Sequence, residues 1–169
     1  MTWSRSKIAG LLFIIGGALT LLGAIVGAAG SPGVGGWLGL IGLLLEGTAF
    51  ILFGIGFPAT RSRRWIPWLY VIAGALMLVT ALLSMVGGSL GAASLLVQLA
   101  IAALILVASV LLLTARAADT ILCIALIVLG ALLMIALFFS NTVIAVLIGA
   151  VYIVIGLLVW GVRMGRRRP

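Results

Sequence analysis

Six stretches of this chain run for about twenty residues almost without a charge: 8–29, 37–57, 67–86, 92–115, 120–139 and 142–162, cut apart by clusters of Gly, Pro, Ser and Arg. An α-helix rises about 1.5 Å per residue, so each run spans the roughly 30 Å of hydrocarbon in a bilayer. A soluble domain would have to surround such runs with polar mass, and this chain has little: only 7% of its 169 residues are charged, against about a quarter in soluble domains. The connections "GSPGVGG", "PATRSRRW", "GGSLGA", "ARAAD" and "SNT" are too short to fold separately. The expected fold is therefore all-α, a single membrane domain over residues 1–169 with six transmembrane helices.

Orientation follows from charge. All ten basic residues (Arg5, Lys7, Arg61, Arg63, Arg64, Arg116, Arg163, Arg166, Arg167 and Arg168) fall before helix 1, in the second and fourth connections, or after helix 6. The positive-inside rule then puts both termini in the cytoplasm, N-in and C-in. Trp3, Trp37, Trp65, Trp68 and Trp160 fall at the predicted helix ends, where amphipathic rings favour headgroups. The +8 net charge lies just outside the helices. Its expected partners are anionic lipid headgroups at Arg61, Arg63, Arg64, Arg166, Arg167 and Arg168, not nucleic acid. "WSRSK", an apolar run and "GAAGSP" outline a signal peptide, but the run is too long for one and five more follow, so helix 1 is expected to be retained. Cys123 is the one cysteine, leaving no internal disulfide to form, and it reads as a small hydrophobe.

The chain also repeats itself. "GAL" begins at Gly17, Gly74 and Gly130, separated by 57 and 56 residues, each time in the first helix of a hairpin. The repeats are expected at about 8–57, 67–116 and 120–162, as three parallel helical hairpins related by an axis along the membrane normal. Lipid supplies no hydrophobic drive for helices to associate, so small residues at their contacts must do so. Gly23 and Gly27 have the GxxxG spacing, which leaves internal packing, no particular role and a homo-oligomer seam open.

The repeated hairpins, "LIG" at Leu40-Ile41-Gly42 and Leu147-Ile148-Gly149, the Glu46-Gly47 pair and the arginine-rich connection after the first repeat resemble the HdeD-like family of small six-helix bacterial membrane proteins. The resemblance covers nearly the whole chain. It implies an inner-membrane protein associated with acid resistance and stress response, and it carries over no catalytic motif. The second repeat departs from the pattern, with Ala102, Ala103 and Ala108 in place of glycines.

Glu46 is the one charge inside an apolar run. A carboxylate at the bilayer centre costs about 2.5–3.5 kcal/mol on insertion scales, so it must face protein and find partners. Gly39, Gly42, Ala49 and Phe53 share its helical face, a stripe suited to another helix. Counting inward from the outer helix ends places Thr20 and Tyr152 at its depth, and Thr80 and Gln98 somewhat nearer the surface. No Lys or Arg lies there, which favours the protonated, neutral carboxyl. Two readings follow: Glu46 senses or carries protons, or it donates a hydrogen bond and fixes packing. Gly23, Gly27, Gly39 and Gly42 are the expected packing glycines. Asp119, next to Thr120, reads as a cap for helix 5.

The absence of histidine removes histidine-ligated zinc and haem and Ser-His chemistry, and two acids far apart cannot form a carboxylate pair. "GSPGVGG" lacks the Lys and Ser/Thr of a phosphate loop and reads as a tight turn. No enzyme, metal or cofactor is expected. Three functions remain: stress tolerance in the manner of the family it resembles; a transporter, channel or substrate-binding subunit lined by Glu46; or a structural bundle acting alone or with another membrane protein.

Overall fold

The computed structural model describes residues 5–56, 65–87, 93–115, 119–139 and 141–161, and all its regular structure is helical. The elements are α1 (Arg5–Ala28), α2 (Pro32–Gly56), α3 (Ile66–Met85), α4 (Ala93–Thr114), α5 (Thr120–Phe138) and α6 (Thr142–Gly161). All six are long and apolar enough to cross a membrane.

The helix ends follow local chemistry. α1 stops because Gly30 takes φ +101°, a conformation costly for a residue with a Cβ. The N–H of Ser31 then reaches the Val26 carbonyl at 3.2 Å, and that of Gly30 reaches Gly27 at 3.4 Å, satisfying two of the last free carbonyls in a Schellman arrangement. The next helix begins at once. Ser31 accepts from the Gly35 N–H, and Pro32 fills the first helical position, where its missing N–H costs nothing. α2 therefore starts five residues before the expected boundary at 37, and "GSPGVGG" is a tight turn only as far as Ser31. Trp37 consequently stands more than a turn inside α2 rather than at its end, exposed on the outer face. Asp119 does cap α5, accepting from the Ile121 N–H at 3.3 Å, and Asn141 caps α6 through the Val143 N–H at 2.9 Å.

Each helix packs chiefly on its neighbours in sequence, and α6 returns to α1, closing a ring. Glycines set the register. Gly16 meets Gly42 and Gly23 meets Gly35, so seven residues forward on α1 run seven backward on α2. The same antiparallel step joins Gly10 and Gly17 to Gly156 and Gly149 of α6, and Gly47 and Gly54 to Gly74 and Pro67 of α3. A spacing of seven keeps small residues on one face of helices crossing with a slight left-handed twist. The approach is close: a Cβ on Gly149 would lie 2.8 Å from the Gly17 carbonyl oxygen. Gly23 and Gly27 both face Gly35, so the GxxxG spacing serves packing of α1 on α2. Gly39 differs from expectation, because a Cβ there would meet open space.

The ring is filled by side chains. Phe13, Phe50, Phe53, Tyr70 and Tyr152 form its aromatic heart, with Phe13 and Phe50 edge to face at 4.9 Å and Phe50 stacked on Tyr70 at 5.9 Å. Met77, Ile105, Leu112, Leu126, Leu129 and Ile155 complete the core, and Cys123 is buried among them. Large apolar side chains such as Leu22, Ile72, Leu96, Ile121 and Leu157 cover the outside of the ring, the arrangement a lipid surround stabilises.

Candidate functional site

Glu46 is 2% exposed, the one buried carboxyl among the described residues. It sits fourteen positions past Pro32 because α2 begins five residues before the expected boundary. Of the residues expected on its face, Gly42, Ala49 and Phe53 are buried beside it. A Cβ on Gly16 would lie 2.8 Å from Glu46 Cγ, and one on Gly42 would lie 2.5 Å from Thr20 Oγ1. Two glycines thus open the space in which the acid and the hydroxyl meet.

Thr20 Oγ1 donates to Glu46 Oε1 at 2.7 Å, linking α1 and α2. Tyr152 comes in from α6, 1% exposed, and its hydroxyl lies close enough to the carboxyl for the two to interact. No hydrogen bond of proper geometry forms, and the Tyr152 hydroxyl is left without one. Three adjacent helices therefore contribute one polar group each to a single point. Arg5 and Lys7, the cationic side chains among the described residues, stand in the first turn of α1, with Lys7 roughly 20 Å from Thr20 along the helix.

Thr80 and Gln98 are not part of this cluster. Thr80 bonds the Leu76 carbonyl of its own helix at 2.8 Å, and Gln98 is exposed on α4. Depth grouped them with Glu46, but Thr80, although on the neighbouring α3, turns its hydroxyl back to its own helix, and Gln98 lies on the outside of α4. Arg61, Arg63, Arg64, Arg166, Arg167 and Arg168, the proposed headgroup contacts, lie outside the described residues.

A second buried polar pair, outside the residues expected from the sequence, joins Tyr70 and Ser109. The Tyr70 and Ser109 hydroxyls are 2.8 Å apart, both buried, and Ser109 also donates to the Ile105 carbonyl at 2.5 Å. This pair ties α3 to α4. Ser109 lies seven residues from the buried Ala102, the spacing that glycines keep elsewhere, and that periodicity was the available signal.

One cleft, of about 460 Å³, opens at the end of the ring that carries the α1–α2 and α5–α6 turns. Gly23, Gly27 and Gly35 line one side, Ala145 and Ile148 the other, and Asn141 stands at the mouth. Its lining stops short of Glu46, Thr20 and Tyr152.

Fold and site together define a multi-pass α-helical membrane protein with a carboxyl held inside its helix ring. No family model, no curated protein and no solved structure matches the chain.

Proposed function

We propose that this is a small bacterial inner-membrane protein of the HdeD-like type, with both termini cytoplasmic, that contributes to acid or envelope-stress tolerance through reversible protonation of Glu46. The observation that carries this reading is the buried carboxyl bound to Thr20, with Tyr152 beside it and no cation among the described residues near it. An ionisable group inside a membrane bundle is costly to keep, which makes a functional role its default interpretation. Two hydroxyl donors around the acid are what a carboxylate needs when its proton leaves.

In this reading the three hairpins are parallel repeats. Small residues seven apart support it, at Gly10 and Gly17, at Ala102 and Ser109, at Cys123 and Gly130, and at Gly149 and Gly156. Glu46 belongs to the first repeat alone, so the repeats share packing and only one bears the proton. The basic connections attract anionic lipids, and the activity is not enzymatic. The packing around Glu46 speaks against a wide conduit through the ring.

Cells expressing the wild type are expected to survive an acid challenge better than cells expressing Glu46→Gln at equal membrane level. Equal survival would leave Glu46 as a packing residue and favour the structural-bundle reading.

A further inference from the structure

The cleft and the carboxyl are closer than their separate lining suggests. Gly23, at the cleft floor, is three residues from Thr20, and Ile148, opposite it, is four from Tyr152. At about 1.5 Å per residue, each step is roughly 5–6 Å, the length of two hydrogen bonds in series. On the far side of that step stands the Tyr152 hydroxyl, buried and beside the carboxyl but with no hydrogen bond of proper geometry. A buried hydroxyl left unpaired is unfavourable, unless its spare capacity is used when a water or a carboxylate presents itself.

We propose that this cleft is the water-filled entrance by which protons reach Glu46, with the Tyr152 hydroxyl as the last link of the path. The proposal rests on the reading of Glu46 as a reversibly protonated group. A hydronium ion at the cleft floor, relayed by water, adds a proton to Tyr152 Oη while the phenolic O–H passes its own proton to the Glu46 carboxylate. One O–H bond forms on Tyr152 and one breaks, so the phenol stays neutral, water is left behind, and the net change is protonation of Glu46. Thr20 holds the other side of the carboxyl through its 2.7 Å bond. The groups facing Glu46 from the helices packed on α2 and from α6 are few. α1 brings Thr20 and Gly16, α3 brings Gly74 and Met77 next to Gly47, and α6 brings Tyr152, the one titratable side chain among them. The mouth suits water rather than an acyl chain, since Asn141 and Thr142 line it together with backbone exposed at Gly27 and Gly36.

The test uses the full chain in phospholipid vesicles, in a Cys123→Ala background, carrying Ala24→Cys or Ala145→Cys in the cleft or Ser84→Cys on α3 outside it. Each is treated with a charged, membrane-impermeant thiol reagent. The Glu46 carboxyl stretch is then followed by infrared spectroscopy after a pH jump. Both cleft cysteines are expected to label, and labelling to slow protonation of Glu46 about tenfold or more, as for loss of one hydrogen-bonded link, while labelled Ser84→Cys keeps the original rate. Tyr152→Phe, which preserves the ring packing, is expected to slow the same step without reagent. Cleft cysteines that resist the reagent would show a lipid-filled groove and overturn the proposal, as would labelling that leaves the rate unchanged. A carboxyl that never changes protonation even in the unlabelled protein would overturn the reading of the site itself, and this path with it.

Discussion

At the scale of single residues, two buried tyrosines use their hydroxyls differently. Tyr70 bonds Ser109 inside the ring, whereas the Tyr152 hydroxyl has no hydrogen bond although it is equally buried. Tyr70→Phe is therefore expected to destabilise by about 1 kcal/mol, the loss of one hydrogen bond while Ser109 keeps its bond to the Ile105 carbonyl, and Tyr152→Phe by less than about 0.5 kcal/mol. Denaturant titration in detergent micelles checks both. Thr20→Val removes the hydroxyl that binds Glu46, and a double-mutant cycle with Glu46→Met, which keeps the side-chain length but offers no oxygen acceptor, is expected to give a coupling of about 1 kcal/mol. A coupling near zero would mean that the two groups do not share a bond in the membrane. The Glu46 cluster was partly legible beforehand, because a lone acid in an apolar run must have partners and depth narrows the choice to a few hydroxyls and amides. Depth says nothing of which way a side chain turns: Thr20 bonds Glu46 and Tyr152 lies beside it, whereas Thr80 bonds its own helix and Gln98 is exposed on α4.

At the scale of elements, the contacts α3–α2–α1–α6 are glycine contacts, and their geometry predicts which substitutions the protein tolerates. A side chain at Gly74 or Gly156 would run into backbone: their Cβ positions meet the Gly47 carbonyl oxygen and, at 2.6 Å, the Gly10 carbonyl oxygen. Gly74→Leu and Gly156→Leu are expected to prevent assembly of the ring, seen as loss of the monodisperse peak in size-exclusion chromatography. Gly33 lies in the first turns of α2 with nothing within 4 Å of its Cβ position. Gly33→Ala is expected to be neutral or to stabilise by up to about 1 kcal/mol through better helix propensity. Five of the six helix starts lay within about three residues of the sequence boundaries, because Pro67, Asp119 and Asn141 mark them. α2 was the exception. Its glycine-rich opening reads as a loop locally, and only the packing of Gly35 on Gly23 and Gly27 makes it helical.

At the scale of the whole molecule, the ring is uneven: α1 is clamped on both sides by glycine contacts, whereas α5 offers Gly130 to the side chain and backbone of Leu106 on α4. The apolar runs made a six-helix membrane bundle legible, since they depend on length and hydropathy alone. Ring closure by α6 on α1 was not, because it depends on glycines at Gly10, Gly17, Gly149 and Gly156 whose seven-residue spacing is easily lost among 23 glycines. The proposed orientation predicts that Ser31→Cys labels from the outer face of intact cells and Ser62→Cys only in inverted vesicles; the opposite pattern would reverse the topology. The central claim concerns Glu46, and it is tested most directly by infrared difference spectroscopy of the carboxyl stretch in lipid vesicles across pH, with Glu46→Gln as the blank. The account predicts a carboxyl that gains and loses its proton between about pH 5 and 8. A carboxyl that stays protonated throughout that range would contradict it and leave Glu46 as a buried hydrogen-bond donor.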